Sequence, residues 1–142
     1  MSKGNTFEND ILKLFFNATA IADLAQDDGS SPATNLYVSL HTADPGEGGA
    51  QNTSEIAYTS YARVAVARSG AGFTVTNNSV SPAATVSFPA GTGGSGTATH
   101  FGIGTASSGA GYLMYKGTVT PNIVCGNGIT PQLTTASAIT ED

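Results

Sequence analysis

Short runs of alternating apolar and polar residues fill the chain from residue 36 onward, and clusters of Gly, Pro, Asn and Ser separate them. In the first run, Leu36, Val38 and Leu40 alternate with polar or aromatic neighbours, which is the period-two pattern of a β-strand. Short strands with turns between them predict a β-sandwich or a barrel. Further strands are predicted at residues 57–68, 73–75, 86–88, 97–104, 112–118, 123–125, 129–133 and 136–139.

Residues 5–26 carry a different pattern, in which apolar residues recur every three or four positions. This spacing predicts one amphipathic α-helix, and the Asp-Asp-Gly-Ser-Ser-Pro stretch after it contains residues that end helices. We expect this helix either to cover the sheet or to dock on a neighbouring subunit. The length of 142 residues predicts a single domain over residues 1–142.

The charge pattern argues against several classes of partner. The net charge is −5, and the five cations are scattered rather than clustered, so we expect no direct binding to nucleic acid. No apolar stretch approaches the roughly 20 residues of a membrane span, and no signal peptide is recognisable. Cys125 has no second cysteine to pair with. These features predict a soluble protein that is made in the cytoplasm and makes no contact with a membrane.

Residues with catalytic or metal-binding potential are few. His41 and Asp44 lie close enough in sequence to orient each other, but Asp44-Pro45-Gly46 is also a typical turn, and we favour that interpretation. His100 lacks the ligand spacing of a zinc site, and the carboxylates near residue 50 lack that of an EF-hand. We therefore predict no catalytic residue, no metal and no cofactor, and we expect Cys125 to be a buried, inert thiol.

Arg63 and Arg68 stand near the two ends of an apolar strand pattern. Either they are solvated at the strand ends, or they form salt bridges to a neighbouring subunit. The sequence leaves both interpretations open.

The motifs LYVSLHTADPGEGG at residues 36–49 and YTSYARV at residues 58–64 resemble a family of small virion proteins of tailed phages. The segments NDILKLFFN at 9–17, THFGIGTA at 99–106 and ITED at 139–142 fit the same family, so the resemblance covers nearly the whole chain. Some members are similar to capsid decoration, or cement, proteins, and others are described as tail-fibre proteins. The resemblance implies a mainly β fold: a jelly-roll-like β-sandwich over residues 36–139 with the helix in front of it.

From this resemblance we expect a structural protein on the outer capsid surface of the virion. It would cement the shell by bridging subunits of the major capsid protein, and it would act as a homo-oligomer, most simply a dimer. A tail, baseplate or tail-fibre component is the first alternative, and a carbohydrate-binding β-sandwich module is the second. The residues expected to contact the partner are Asp44, Pro45, Gly46, Glu47, Gly48 and Gly49 in the long loop, and Phe7 and Ile11 in the helix.

Overall fold

The computed structural model describes residues 5–21 and 32–141. One helix, α1 (Asn5–Asn17), precedes the strands of this described part. The strands form antiparallel sheets and do not close into a barrel, so the predicted mainly β class with one N-terminal helix is confirmed. The strands are β1 (Asn35–His41), β2 (Val64–Ala67), β3 (Phe73–Thr76), β4 (Ser79–Pro82), β5 (Val86–Ser87), β6 (Ser95–Gly104), β7 (Leu113–Gly126), β8 (Gln132–Leu133) and β9 (Ile139–Thr140).

The chain divides into two compact units. The helical unit comprises Met1–Asn35, Val66–Thr85 and Thr134–Asp142, and the sheet unit comprises Leu36–Ala65 and Val86–Leu133. The single domain expected over residues 1–142 stays a prediction.

In the helical unit, α1 buries the face that carries Leu12 and Phe16. The ring of Phe16 meets that of Phe73 edge-to-face, with 4.9 Å between centroids, which is a favourable geometry for two aromatic rings. Phe73 begins β3, and β3, β4 and β9 form a three-stranded antiparallel sheet in that order. Strand β4 is absent from the predicted strands.

The helix is shorter than the predicted span of 5–26, because it ends at Asn17. Ala18 has a left-handed φ of 53°, and the Thr19 amide donates to the Lys13 carbonyl at 3.1 Å, which closes the last turn. The predicted end was wrong because the apolar spacing in the sequence continues beyond Asn17. Of the remaining predicted helix, residues 22–26 lie outside the described residues.

Arg68 stabilises the end of α1. Its Nε donates to the Phe15 carbonyl and one terminal nitrogen donates to the Leu14 carbonyl, both at 2.7 Å. These carbonyls belong to the last turn, where the helix itself offers no donor and the helix dipole favours a positive charge. Arg68 is half-buried and binds the helix of its own chain, and a salt bridge to a neighbouring subunit stays a prediction.

The main sheet has the order β2-β1-β6-β7. β1 and β6 pair antiparallel, with Ser39 opposite Gly102 and Leu40 opposite Phe101. Residues alternate between the two sides of a strand, so one face is apolar and the other carries polar groups and glycines. The apolar face is buried and contains Val38, Leu40, Phe101 and Ile103.

Strand β7 continues through residues that the sequence divides between two strands, 112–118 and 123–125. Its pairing with β6 shifts between Ala98 and His100, which face Ile123 and Thr118, so β7 bulges between its two halves. The strand predicted at 57–68 is too long, because only Val64–Ala67 pair as β2. The residues before Val64 make tertiary hydrogen bonds instead, through Tyr58, Tyr61 and Arg63.

Candidate contact surface and the polar cluster beneath it

Residues 42–63, the β1–β2 loop, carry a buried glutamine that fastens them to the rest of the sheet unit. Gln51 is fully buried. Its Nε2 donates to the Tyr37 carbonyl at 2.8 Å, and its Oε1 accepts the Ala106 amide at 3.1 Å. Gly104 lies directly under it, and a Cβ there would overlap the Gln51 amide group. The glycine therefore leaves the space that the glutamine side chain occupies.

His41, at the end of β1, holds the same loop from another side. Its Nδ1 donates to the Thr53 carbonyl at 2.8 Å, and its Nε2 lies 2.8 Å from the Ser39 hydroxyl. Burial lowers the pKa of His41, so the imidazole is neutral near pH 7 and its Nε2 accepts a hydrogen bond from the Ser39 hydroxyl. Ser39 and His41 are both fully buried. This Ser–His pair therefore holds the backbone, and neither side chain faces solvent.

Glu55 and Arg63 form a second polar group within the β1–β2 loop, in which Arg63 is buried and Glu55 is half-buried. The Arg63 guanidinium donates to both Glu55 carboxylate oxygens at 2.7 Å and so forms a bidentate ion pair. It also donates to the carbonyls of Ala106 at 2.8 Å and Gly109 at 2.6 Å. Both interpretations of Arg63 given above are wrong, because its partners are a carboxylate and two carbonyls of its own chain.

Tyr61 joins this group to β1. Its hydroxyl donates to Glu55 at 2.8 Å and accepts the Leu40 amide at 3.1 Å, while its ring stacks on Phe88. Burial raises the pKa of Tyr61, so the phenol stays protonated at neutral pH. The cluster of Gln51, Glu55, Tyr61 and Arg63 thus fixes the β1–β2 loop internally.

Asp44 makes the turn predicted from the sequence. Its Oδ1 accepts the Gly46 amide at 2.8 Å, and Gly46 has a left-handed φ of 74° that glycine adopts without strain. Lys116 of β7 lies 2.9 Å from the same carboxylate. The hydrogen bond from Lys116, with that from the Gly46 amide, lowers the pKa of Asp44. His41 and Asp44 therefore have different partners, as the turn interpretation requires.

The six predicted contact residues of the loop differ in accessibility. Asp44, Glu47 and Gly48 are exposed, Gly46 and Gly49 are half-buried, and Pro45 is buried. The Pro45 side chain is thus not presented to solvent. All six stay predictions as contact residues, and they lie on a turn whose backbone is already fixed by its own chain.

The two predicted contact residues of α1 lie in the helical unit. Phe7 is 44% exposed and Ile11 is half-buried. Phe15, one turn further on, is 42% exposed, so the three residues form an apolar stripe at i, i+4 and i+8. Their role in binding stays a prediction.

Chemistry beyond hydrogen bonding is sparse in residues 5–21 and 32–141. No three His, Cys, Asp or Glu side chains in this part are grouped as a metal would need. His100 shares a hydrogen bond with the Thr99 hydroxyl at 2.9 Å. Cys125 is buried, and burial raises the pKa of its thiol, which makes it a poor nucleophile. The single helix of this part, with 13 residues, is too short to cross a bilayer.

Three features of the structure were not predicted from the sequence: the role of Gln51, the pairing of Glu55 with Arg63, and the exposure of Tyr112. Gln51 and the Glu55–Arg63 pair link positions up to 55 residues apart, and no local pattern marks such bonds. Tyr112 is 72% exposed, the highest fraction among the exposed large hydrophobic residues of the described part. Its position after a Ser/Gly-rich turn is visible in the sequence, but its exposure is not.

Comparison with known families assigns the chain to a class and then to a family. The class is that of phage virion structural proteins. Residues 2–139 match the model of the family described as podophage GP4 fiber I protein gp80, and the chain belongs to this family. A comparison with individually curated proteins gives no match.

Proposed function

We propose that this protein is a non-enzymatic structural subunit of a phage particle and that it forms part of a fibre or of its attachment to the tail. The observation that carries the proposal is the family match over residues 2–139, whose description names a fibre protein. The match includes residues of both the helical unit and the sheet unit, so it concerns nearly the whole chain rather than one motif.

The geometry of the polar residues supports a structural role. The Ser39–His41 pair and the Glu55–Arg63 pair have the residue types of a catalytic site, yet their hydrogen bonds go to backbone carbonyls, to each other and to Tyr61. Groups used in this way fix loops. A fixed loop is suited to a permanent contact with another subunit, because little conformational entropy is lost on binding.

Capsid decoration is the second candidate function. It would place the protein on the outer capsid surface, where symmetric oligomers bridge neighbouring copies of the major capsid protein. The absence of a fixed-period repeat in the sequence favours it, since elongated fibres are commonly built from repeats. The two candidates share the class of protein and differ in its place on the particle.

A deletion phage distinguishes the candidates. We expect quantitative mass spectrometry of purified wild-type particles to find the protein in a fixed copy number. Particles made without it should adsorb to host cells more slowly and should resist heat as well as wild-type particles do. Normal adsorption combined with loss of heat resistance would instead favour capsid decoration. Absence of the protein from purified particles would refute both.

A further inference from the structure

Residues 105–112 connect β6 to β7, and two buried side chains from outside this connection hold it. Arg63 donates to the carbonyls of Ala106 and Gly109, at 2.8 and 2.6 Å. The Gln51 backbone amide donates to the Ala110 carbonyl at 2.7 Å, and the Gln51 side-chain oxygen accepts the Ala106 backbone amide at 3.1 Å. Four hydrogen bonds thus fix the backbone of this turn from below.

The two ends of the turn are also joined. The Thr105 amide donates to the Tyr112 carbonyl at 3.1 Å, and the Tyr112 amide donates to the Thr105 hydroxyl at 3.3 Å. The residues between them are Ala-Ser-Ser-Gly-Ala-Gly, which bury no large side chain of their own. The order of this turn therefore comes from the polar cluster beneath it and not from its own packing.

Tyr112 projects from this fixed backbone. Its exposed fraction of 72% leaves the ring available to a partner, and a tyrosine ring loses only two torsions when it binds. Residues 105–112 contain no charged side chain, and Ser107 and Ser108 of the same loop are exposed. Tyr, Ser and Gly on a rigid loop are the composition of protein-recognition loops, and charged residues are depleted from the centres of protein interfaces.

We propose that residues 105–112 are a preorganised docking loop for another protein of the phage particle, and that the Tyr112 ring is its anchor. The surface that receives it is uncharged and contains a shallow apolar recess for the ring, with backbone or side-chain groups that bond the serine hydroxyls. A saccharide is a poorer match, because the loop offers none of the carboxylate, amide or guanidinium side chains that bind sugar hydroxyls in pairs. This inference rests on the proposed function, since the partner is sought on the particle.

The test uses purified, fluorescently labelled protein and phage particles made without it. We expect the wild-type protein to bind these particles saturably and Tyr112→Ala to bind about 30-fold more weakly or worse, as for the loss of an aromatic anchor. Tyr112→Phe, which keeps the ring, should bind within about threefold of wild type. Val124→Ala is the matched control, because Val124 is 63% exposed in the same unit, and it should bind like wild type.

Tyr112 is exposed, so Tyr112→Ala should keep the thermal midpoint of the wild-type protein. As a second variant, Ser108→Glu places a charge in the uncharged loop, and it should weaken binding by at least tenfold. Wild-type affinity in both variants would overturn the docking loop. Saturable binding of wild-type protein to a glycan array, lost in Tyr112→Ala, would overturn the protein partner. Failure of the wild-type protein to bind particles would count against the proposed function itself.

Discussion

Replacement of Arg63 by methionine tests whether the buried ion pair holds the sheet unit together. The change removes four hydrogen bonds, two to Glu55 and one each to Ala106 and Gly109. It also leaves the Glu55 carboxylate without its cation under the loop. Removal of one partner from a buried pair costs about 3–5 kcal/mol. Because the Glu55 side chain keeps 16% of its exposure, water can reach it, and we expect the lower end, about 3 kcal/mol.

The measurement is urea-induced unfolding followed by circular dichroism, together with the thermal midpoint. A loss of about 3 kcal/mol corresponds to a midpoint lower by about 10 °C in a chain of this length. The double variant R63M/E55Q no longer contains an unpaired charge, so it should recover at least about 1 kcal/mol relative to R63M. Lys116→Met is the matched control: it breaks the exposed pair with Asp44 and should cost less than about 1 kcal/mol.

Two results would refute this reasoning. In the first, R63M costs no more than Lys116→Met, which would mean that burial adds nothing to the importance of the pair. In the second, R63M/E55Q is less stable than R63M, which would mean that the unpaired carboxylate is not the source of the loss. Hydrogen exchange gives an independent check, because the amide of Ala106 should lose protection in R63M.

Three further predictions concern separate parts of the molecule. Arg68→Ala removes the donors at the end of α1 and should lower the free energy of unfolding in urea by about 1–2 kcal/mol. Arg68→Lys keeps the charge but not the two-nitrogen guanidinium geometry, and it should lose less. No loss in either variant would contradict the role of Arg68 at the helix end. Gly104→Ala drives a Cβ into the Tyr112 carbonyl and the Gln51 side-chain amide, and it should cost about 1–3 kcal/mol in the same assay. Wild-type stability would disprove that close packing. Because the pKa of His41 is lowered in the folded state, the unfolded chain takes up a proton first as the pH falls, so the free energy of unfolding declines below about pH 6.5. His41→Asn should abolish this part of the decline. An identical pH profile in both proteins would contradict a buried neutral imidazole.

Local patterns in the sequence predicted much of the fold. Alternation placed β1 within one residue of its observed start, and it located β3 and β6 within two residues, because one face of each strand is buried and the pattern records that burial. The same alternation failed before Val64, where Tyr58, Tyr61 and Arg63 are used for tertiary contacts instead of a ladder. It also failed at Ala18, since a left-handed residue ends α1 although the apolar spacing continues.

The candidate site was harder to predict because its bonds are long-range. The turn at Asp44 needs only neighbouring residues, and the sequence predicted it correctly. The ordering of the β1–β2 loop depends on Gln51 reaching Ala106 and on Arg63 reaching Gly109, and neither pairing leaves a periodic trace in the sequence. The loop that we expected to contact a partner is therefore already fixed by its own chain.

Electron cryomicroscopy of the intact phage particle tests the central claim most directly. The account predicts that copies of this chain, recognised by the four-stranded β2-β1-β6-β7 sheet and the 13-residue helix, fit density at a fibre or at its attachment to the tail. Residues 105–112 should lie against a neighbouring protein with the Tyr112 ring enclosed. A particle map in which other chains account for all fibre and tail density, and in which no copy of this fold is present, would contradict the account.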